Sequence, residues 1–225
     1  MIIITGGVSG IGKAIAENLR LKGEKVLTIS RSKAENNSNH FTCDISDYDS
    51  LKNVYKEISV SKKSVYALIN CAGVASMNLA LTTPPKTSER IIKTNLLGTI
   101  FSNQIFAPLL IKNKVGRIIN FSTIAVKIGL KGESVYVASK AGIEGFSRVF
   151  AKELSPFNIT VNCIAPGPVR TNLLKGITDE QISEIINSQI IRKEMKTIDI
   201  VNMVNLLLDK KASNITGQVL HVGGL

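Results

Sequence analysis

Aromatic residues make up 5% of this 225-residue chain, too few to build stacking platforms for single-stranded nucleic acid. Acidic residues are also scarce, 17 against 28 Lys and Arg, which leaves a net charge of +11. The basic residues nevertheless form no run longer than pairs such as Lys62-Lys63 and Lys210-Lys211, a pattern that argues against a nucleic-acid footprint. The excess charge reads either as a lysine-rich solvated surface or as attraction for an anionic cofactor or an acidic partner protein. Cysteine occurs three times, at Cys43, Cys71 and Cys163, an odd number at no metal-ligand spacing. That predicts reduced, mostly buried thiols in a cytosolic protein, and no metal site. Long hydrophobic runs are missing as well, so no segment is suited to span a membrane. The apolar start, MIIITGGVSGIGK, has no basic segment before it and is broken at once by glycine, so it does not read as a signal peptide. The expected location is cytoplasmic.

What is present is a packed globule: 44% of the residues are hydrophobic, and a chain of this length suits one domain over 1–225. Short apolar, β-branched runs near 2–5, 26–30, 40–43, 65–70, 117–122, 160–165 and 219–222 predict strands. Amphipathic stretches near 11–22, 47–58, 86–112, 135–154 and 198–208 predict helices between them. The strands are apolar throughout ("MIII", "ALIN", "RIINF") rather than alternating, as expected where helices cover both faces of a sheet. Strand–helix alternation of this kind predicts an α/β fold, a doubly wound parallel sheet of about seven strands built by right-handed crossovers. No internal repeat or linker interrupts it, and Pro84-Pro85 marks a loop before a helix.

The first strand runs directly into TGGVSGIGK, which opens a helix, the context a glycine-rich phosphate loop needs. Gly6, Gly10 and Gly12 allow a tight turn and close approach to a pyrophosphate at the positive end of the helix. Two pentapeptides share another skeleton: YDSLK at 48–52 and YVASK at 136–140. A tyrosine four residues before a lysine places phenol and ammonium on one helix face, and a nearby cation favours the phenolate. Such a pair can act as a general acid, and spacing alone does not choose between the two.

Further motifs follow in order: CDIS at 43–46, NCAG at 70–73, TNLLGT at 94–99 and GRIINFST at 116–123. YVASKAGIEGFS at 136–147, VNCIAPGPVRT at 161–171 and ITGQVLHVGG at 215–224 complete the set. In order and spacing the chain resembles the short-chain dehydrogenase/reductase family from Ile2 to Gly224, and within it is most similar to the 3-oxoacyl-[acyl-carrier-protein] reductases. The resemblance implies a Rossmann-type nicotinamide-dependent oxidoreductase that reduces a ketone or oxidises a secondary alcohol. Topology then separates the pentapeptides: Tyr48 follows the third strand on the adenine side, whereas Tyr136 follows the fifth, on the nicotinamide side.

By resemblance, Tyr136 donates a proton to the carbonyl oxygen, and Lys140 lowers the tyrosine's pKa and hydrogen-bonds the nicotinamide ribose. Asn95 holds a water in the proton relay. The carbonyl-polarising hydroxyl, thirteen residues before the tyrosine, falls on Thr123. Strand side chains alternate, so its neighbour Ser122 is expected to face away. The cofactor is expected to contact Thr5, Gly6, Ser9, Gly10, Ile11 and Gly12 in the first loop, then Asp44 and Ile45 after the third strand. Asn70, Ala72 and Gly73 line its adenosine side, and Pro166, Gly167, Val169 and Thr171 hold the carboxamide. At the end of the second strand stand Ser30 and Arg31 where a carboxylate would select NAD(H), so NADP(H) is expected, with Lys33 assisting. NAD(H) is the alternative.

The expected substrate is a 3-oxoacyl thioester on an acidic acyl carrier protein, which a basic surface would attract. A small sugar, polyol or ketone is the alternative, and a catalytically idle cofactor-binding regulator a remote one. A homotetramer is implied, with helices around 95–112 and 135–154 at the interface. The chain departs from the family at Cys71, usually asparagine, which predicts a missing sheet hydrogen bond. It departs also in EMKTIDIV, which lacks a Gly-x-Pro turn, and in VGG, which lacks an acidic residue. The lid, about 172–197, matches no pattern that converts to a substrate.

Overall fold

Along β1 (Ile2–Thr5) successive side chains point to opposite faces. Ile3 enters one apolar core while Ile2 and Ile4 enter another. The same division runs through β2 (Val26–Ser30) and β4 (Ala67–Asn70), which is why the strands are apolar without alternation. The structure is a computed structural model that describes residues 1–34, 39–61, 64–174 and 177–224. The Lys62-Lys63 pair and Leu225 lie outside the described residues, as do 175 and 176 of the lid.

With β3 (His40–Thr42), β5 (Gly116–Phe121), β6 (Ile159–Pro166) and β7 (Val219–Val222), one parallel sheet forms in the order β3-β2-β1-β4-β5-β6-β7. This is the doubly wound Rossmann arrangement expected from the strand–helix alternation. On one face, α2 (Tyr48–Val60), α4 (Gly98–Lys112) and α6 (Ser134–Leu154) bury Leu51, Phe106 and Leu154 against Ile3, Leu68 and Ile118. On the other, α1 (Gly10–Leu21) and α8 (Thr197–Leu208) bury Ile15 and Val204 against Ile4 and Ile69. Among the described residues no helix is long and apolar enough to cross a membrane.

The helix expected over 86–112 is divided. After α3 (Pro85–Ile91), a π-helical turn at Ile92–Leu97 precedes α4. The extra residue of such a turn re-aims side chains, and here Asn95 is turned into the interior. The lid also contains a helix that hydrophobic pattern had not marked, α7 (Asp179–Asn187). Thr178 and Gln181 cap it reciprocally, with bonds of 3.3 and 3.0 Å. The Thr-x-x-Gln spacing was the available signal. A single turn, α5 (Ala125–Ile128), follows β5.

Candidate active site

The first loop owes its shape to glycine. Gly6 and Gly10 have φ of +71° and +52°, and a Cβ on Gly12 would lie 2.3 Å from the Gly6 carbonyl oxygen. Ser9, extended, caps α1 without a side-chain hydrogen bond, so the first N–H groups of the helix face outward. Across from this turn, Gly10 approaches Thr171, 3.5 Å from where its Cβ would be. Between them opens a cavity of about 490 Å³ along the carboxyl ends of the strands. It takes in Gly6, Ser9, Ile11 and Gly12, then Ser30, Arg31, Asp44 and Ile45. Ala72, Gly73, Thr123, Tyr136 and Lys140 continue the wall, and Pro166, Gly167 and Val169 close it. This open cradle of backbone N–H groups, with Arg31 at one end and a phenol at the other, suits a dinucleotide. Lys33 is not among the residues that line it.

Three expected contacts stand behind the wall. Thr5 accepts a hydrogen bond from the Ala72 N–H at 3.4 Å. Asn70 donates to the Asn120 amide oxygen at 2.8 Å and accepts from Ser102 at 2.7 Å. Asn120 in turn donates to Ser147 at 2.8 Å, so a buried polar network ties β4, β5, α4 and α6 together directly behind the site. Of its members only Asn70 was expected at the site, as a cofactor contact; Asn120 is its register partner on the neighbouring strand. Asn95, 0% exposed, accepts from the Val74 N–H at 2.8 Å and donates to the Val74 carbonyl at 2.8 Å and to Ser139 at 3.1 Å. Its side chain thus fastens the exit of β4 to α6 rather than reaching into the cavity.

The two hydroxyls after β5 both belong to residues of the cavity wall but have different partners. Ser122 donates to the Glu144 carboxylate at 2.5 Å, whereas the Thr123 hydroxyl accepts from the Ala125 N–H at 3.2 Å and acts on the Tyr136 phenol, pulling its pKa down. Tyr48 stands at the start of α2, 42% exposed, with its ring edge-on to Phe101 at 5.3 Å. Tyr136 and Lys140 are both buried one turn apart on α6. The Lys140 ammonium donates to the Phe121 carbonyl at 2.9 Å and lies 5.8 Å from the Tyr136 ring centre. Contrary to the expected lowering by Lys140, the phenol is held above its ordinary range, first by burial and then by Glu133, with Thr123 opposing. Burial pushes Lys140 down to about 8 and the Cys71 thiol up to about 12. Cys71 lines the cavity and leaves the sheet network to Asn70. Glu133, also on the wall, had not been expected there.

Over the site, Arg170 pairs with Asp179 at 3.1 Å and Glu194 at 3.0 Å, joining the two ends of the lid. Gln189 is wedged so closely that a Cβ on Gly167 would fall 2.1 Å from its side-chain oxygen.

A family model described as Enoyl-(Acyl carrier protein) reductase matches residues 6–224. The 3-oxoacyl-[acyl-carrier-protein] reductase FabG of Buchnera aphidicola (Schizaphis graminum) is 35% identical, covering 99% of this chain and 95% of its own. That of Staphylococcus aureus is 32% identical, covering 99% and 96%. Among solved structures, Thermoplasma acidophilum aldohexose dehydrogenase superposes with a TM-score of 0.89 at 28% identity, covering 100% of this chain and 93% of its own. The NADP-bound ElxO structure does so with a TM-score of 0.88 at 25% identity, covering 98% and 96%. These matches extend over nearly the whole length, and the chain belongs to the short-chain dehydrogenase/reductase family of NAD(P)(H)-dependent oxidoreductases.

Proposed function

We propose that the protein is a cytoplasmic, NADPH-dependent reductase of 3-oxoacyl thioesters that works as a homotetramer. The observation that carries the chemistry is that Tyr136, Lys140 and Thr123 share one wall of the cavity, with Tyr136 and Lys140 both buried one turn apart on α6. In this reading a nicotinamide bound in the cradle supplies the hydride. Tyr136 gives its proton to the carbonyl oxygen, and Thr123 donates a hydrogen bond to that same oxygen as charge develops there. Burial keeps the phenol protonated until that moment, the state a reduction requires. Lys140, mostly charged at neutral pH, offsets the phenolate left behind. Asn95 enters as a positioning residue that sets Gly73 and Val74 against Lys140.

Arg31, exposed at the end of β2 on the cavity wall, supports the NADPH preference because it can pair with a 2′-phosphate. The identity to FabG reductases and the +11 charge support an acidic acyl carrier as substrate bearer. A second reading, oxidation of an aldose, is favoured by the likeness to the aldohexose dehydrogenase. Consumption of NADPH with an acetoacetyl thioester, run beside an aldohexose and a free ketone, separates the two. Turnover of the thioester supports the proposal. Turnover of the sugar or ketone with none of the thioester rejects it, and equal or better kcat/KM with NADH removes the NADPH preference.

A further inference from the structure

One carboxyl on the cavity wall has no part in this chemistry. Glu133 immediately precedes α6 and lies one turn before Tyr136, so the two side chains share a face. It is 5% exposed and lines the cavity. Its backbone is engaged: the N–H donates to the Leu130 carbonyl at 3.2 Å, and the carbonyl accepts from the Val137 N–H at 2.7 Å. The carboxyl itself has no hydrogen bond or ion pair with any described residue. A buried polar group without a partner is costly, and the side left open to this one is the cavity.

Burial alone pushes the Glu133 carboxyl up to about 7, so the acid form, which can donate, is well populated at neutral pH. Among the described residues, the lid side of the cavity adds Leu173, Leu174, Ile177 and Ile185, and no charge. The other ionisable groups on the wall among the described residues are Cys71, Arg90, Tyr136 and Lys140, with Arg31, Cys43 and Asp44 toward the β2–β3 end. Of these, Tyr136 registers the charge of Glu133.

We infer that the Glu133 carboxyl donates a hydrogen bond to a second carbonyl oxygen of the substrate, two carbons along from the carbonyl that Tyr136 protonates, and so selects 1,3-dicarbonyl substrates. The inference rests on the proposed reduction, and in a 3-oxoacyl thioester that second oxygen belongs to the thioester. A hydroxyl or ammonium on the substrate would suit a carboxylate. A carbonyl needs a donor, which the acid form provides and the ionised form does not.

The test compares the wild type with Glu133→Leu and Glu133→Gln on three substrates: an acetoacetyl thioester, acetylacetone, and a monoketone of similar size. Near about pH 6, where the acid form dominates, Glu133→Leu is expected to lower kcat/KM for both dicarbonyls roughly tenfold or more while changing the monoketone by less than about threefold. Glu133→Gln, which keeps a donor and cannot ionise, is expected to recover most of that loss. It should also flatten the decline in dicarbonyl kcat/KM that the wild type shows toward about pH 8.5. Equal losses on monoketone and dicarbonyls, or a Gln variant as impaired as the Leu variant, overturn the inference. So does a wild type that reduces neither dicarbonyl. Reduction of acetylacetone without the thioester rejects the thioester reading but leaves Glu133 under test on the diketone.

Discussion

Thr123 and Ser122 differ by one position on the chain and by one hydrogen-bond partner in the structure. Thr123→Val removes the proposed donor to the reacting oxygen while keeping the shape, and is expected to lower kcat by roughly 10²-fold or more, as loss of an oxyanion donor does. Ser122→Ala should leave kcat within a few-fold, because the hydroxyl is engaged with Glu144. Steady-state kinetics with NADPH and any accepted ketone checks both, and the opposite ranking would assign the role to Ser122. Glu133 makes a separate prediction about stability. Its folded pKa, about 7, lies above the ordinary 4.5, so the folded state holds the proton more tightly than the unfolded one. Stability is therefore undiminished below about 4.5, falls as pH rises through the window to about 7, and stays reduced above it. Glu133→Gln should raise the Tm at about pH 8 and leave it nearly unchanged at about pH 4, a difference on the order of a few kcal/mol. Equal shifts at both pH values would contradict it.

At the scale of elements, the site is a junction between the end of β5, the exit of β4 and one face of α6. The π turn makes that junction possible by turning Asn95 inward to hold Val74 on both its backbone groups. Asn95→Ala leaves those groups and Ser139 without their buried partner, so a loss of about 2–3 kcal/mol is expected in chemical denaturation. Because Gly73 lies between Asn95 and Lys140, KM for the cofactor should rise as well. A variant that loses stability with cofactor KM unchanged would make Asn95 a purely structural residue. Phe106 belongs to a different part of the fold. It is fully buried beneath the sheet, and Phe106→Ala should cost about 3–5 kcal/mol with little effect on KM in whatever protein remains folded.

For the whole molecule, the predictions concern charge and assembly. A surface carrying +11 should bind an acidic carrier more weakly as salt is added, while turnover of an uncharged small ketone stays nearly constant. Parallel salt dependence of the two would remove the argument from charge. The π turn before α4 and the outer face of α6 keep apolar groups in water: Leu97 is 36% exposed and Val149 56%, with Phe146 and Phe150 stacked at 5.0 Å beside it. Light scattering at micromolar concentration is expected to report a tetramer, and Val149→Asp a smaller species. A monomeric wild type would contradict the assembly.

Much of the fold is legible in the sequence. Uninterrupted apolar strands specify a sheet covered on both faces, because only two-sided burial suits Ile2, Ile3 and Ile4 together. The glycines of the first loop encode positive φ and close backbone approach locally. Ser122 and Thr123 both lie beyond the end of β5, so their different partners come from the tertiary setting and not from strand alternation. Hydrophobic period was blind to α7, a short lid helix set by its cap, and to the π turn, whose extra residue leaves no trace in an apolar pattern. What tertiary structure alone decided is what each polar side chain meets. Asn95 could have faced a water or a backbone, and it faces Val74. Lys140 could have met the phenol, and its ammonium rests on the Phe121 carbonyl. Glu133 could have been one more solvated carboxylate, and burial makes it an acid beside Tyr136. Strand, helix and turn follow from neighbours along the chain, whereas protonation and partnership follow from dielectric and distance, which depend on residues far apart in sequence.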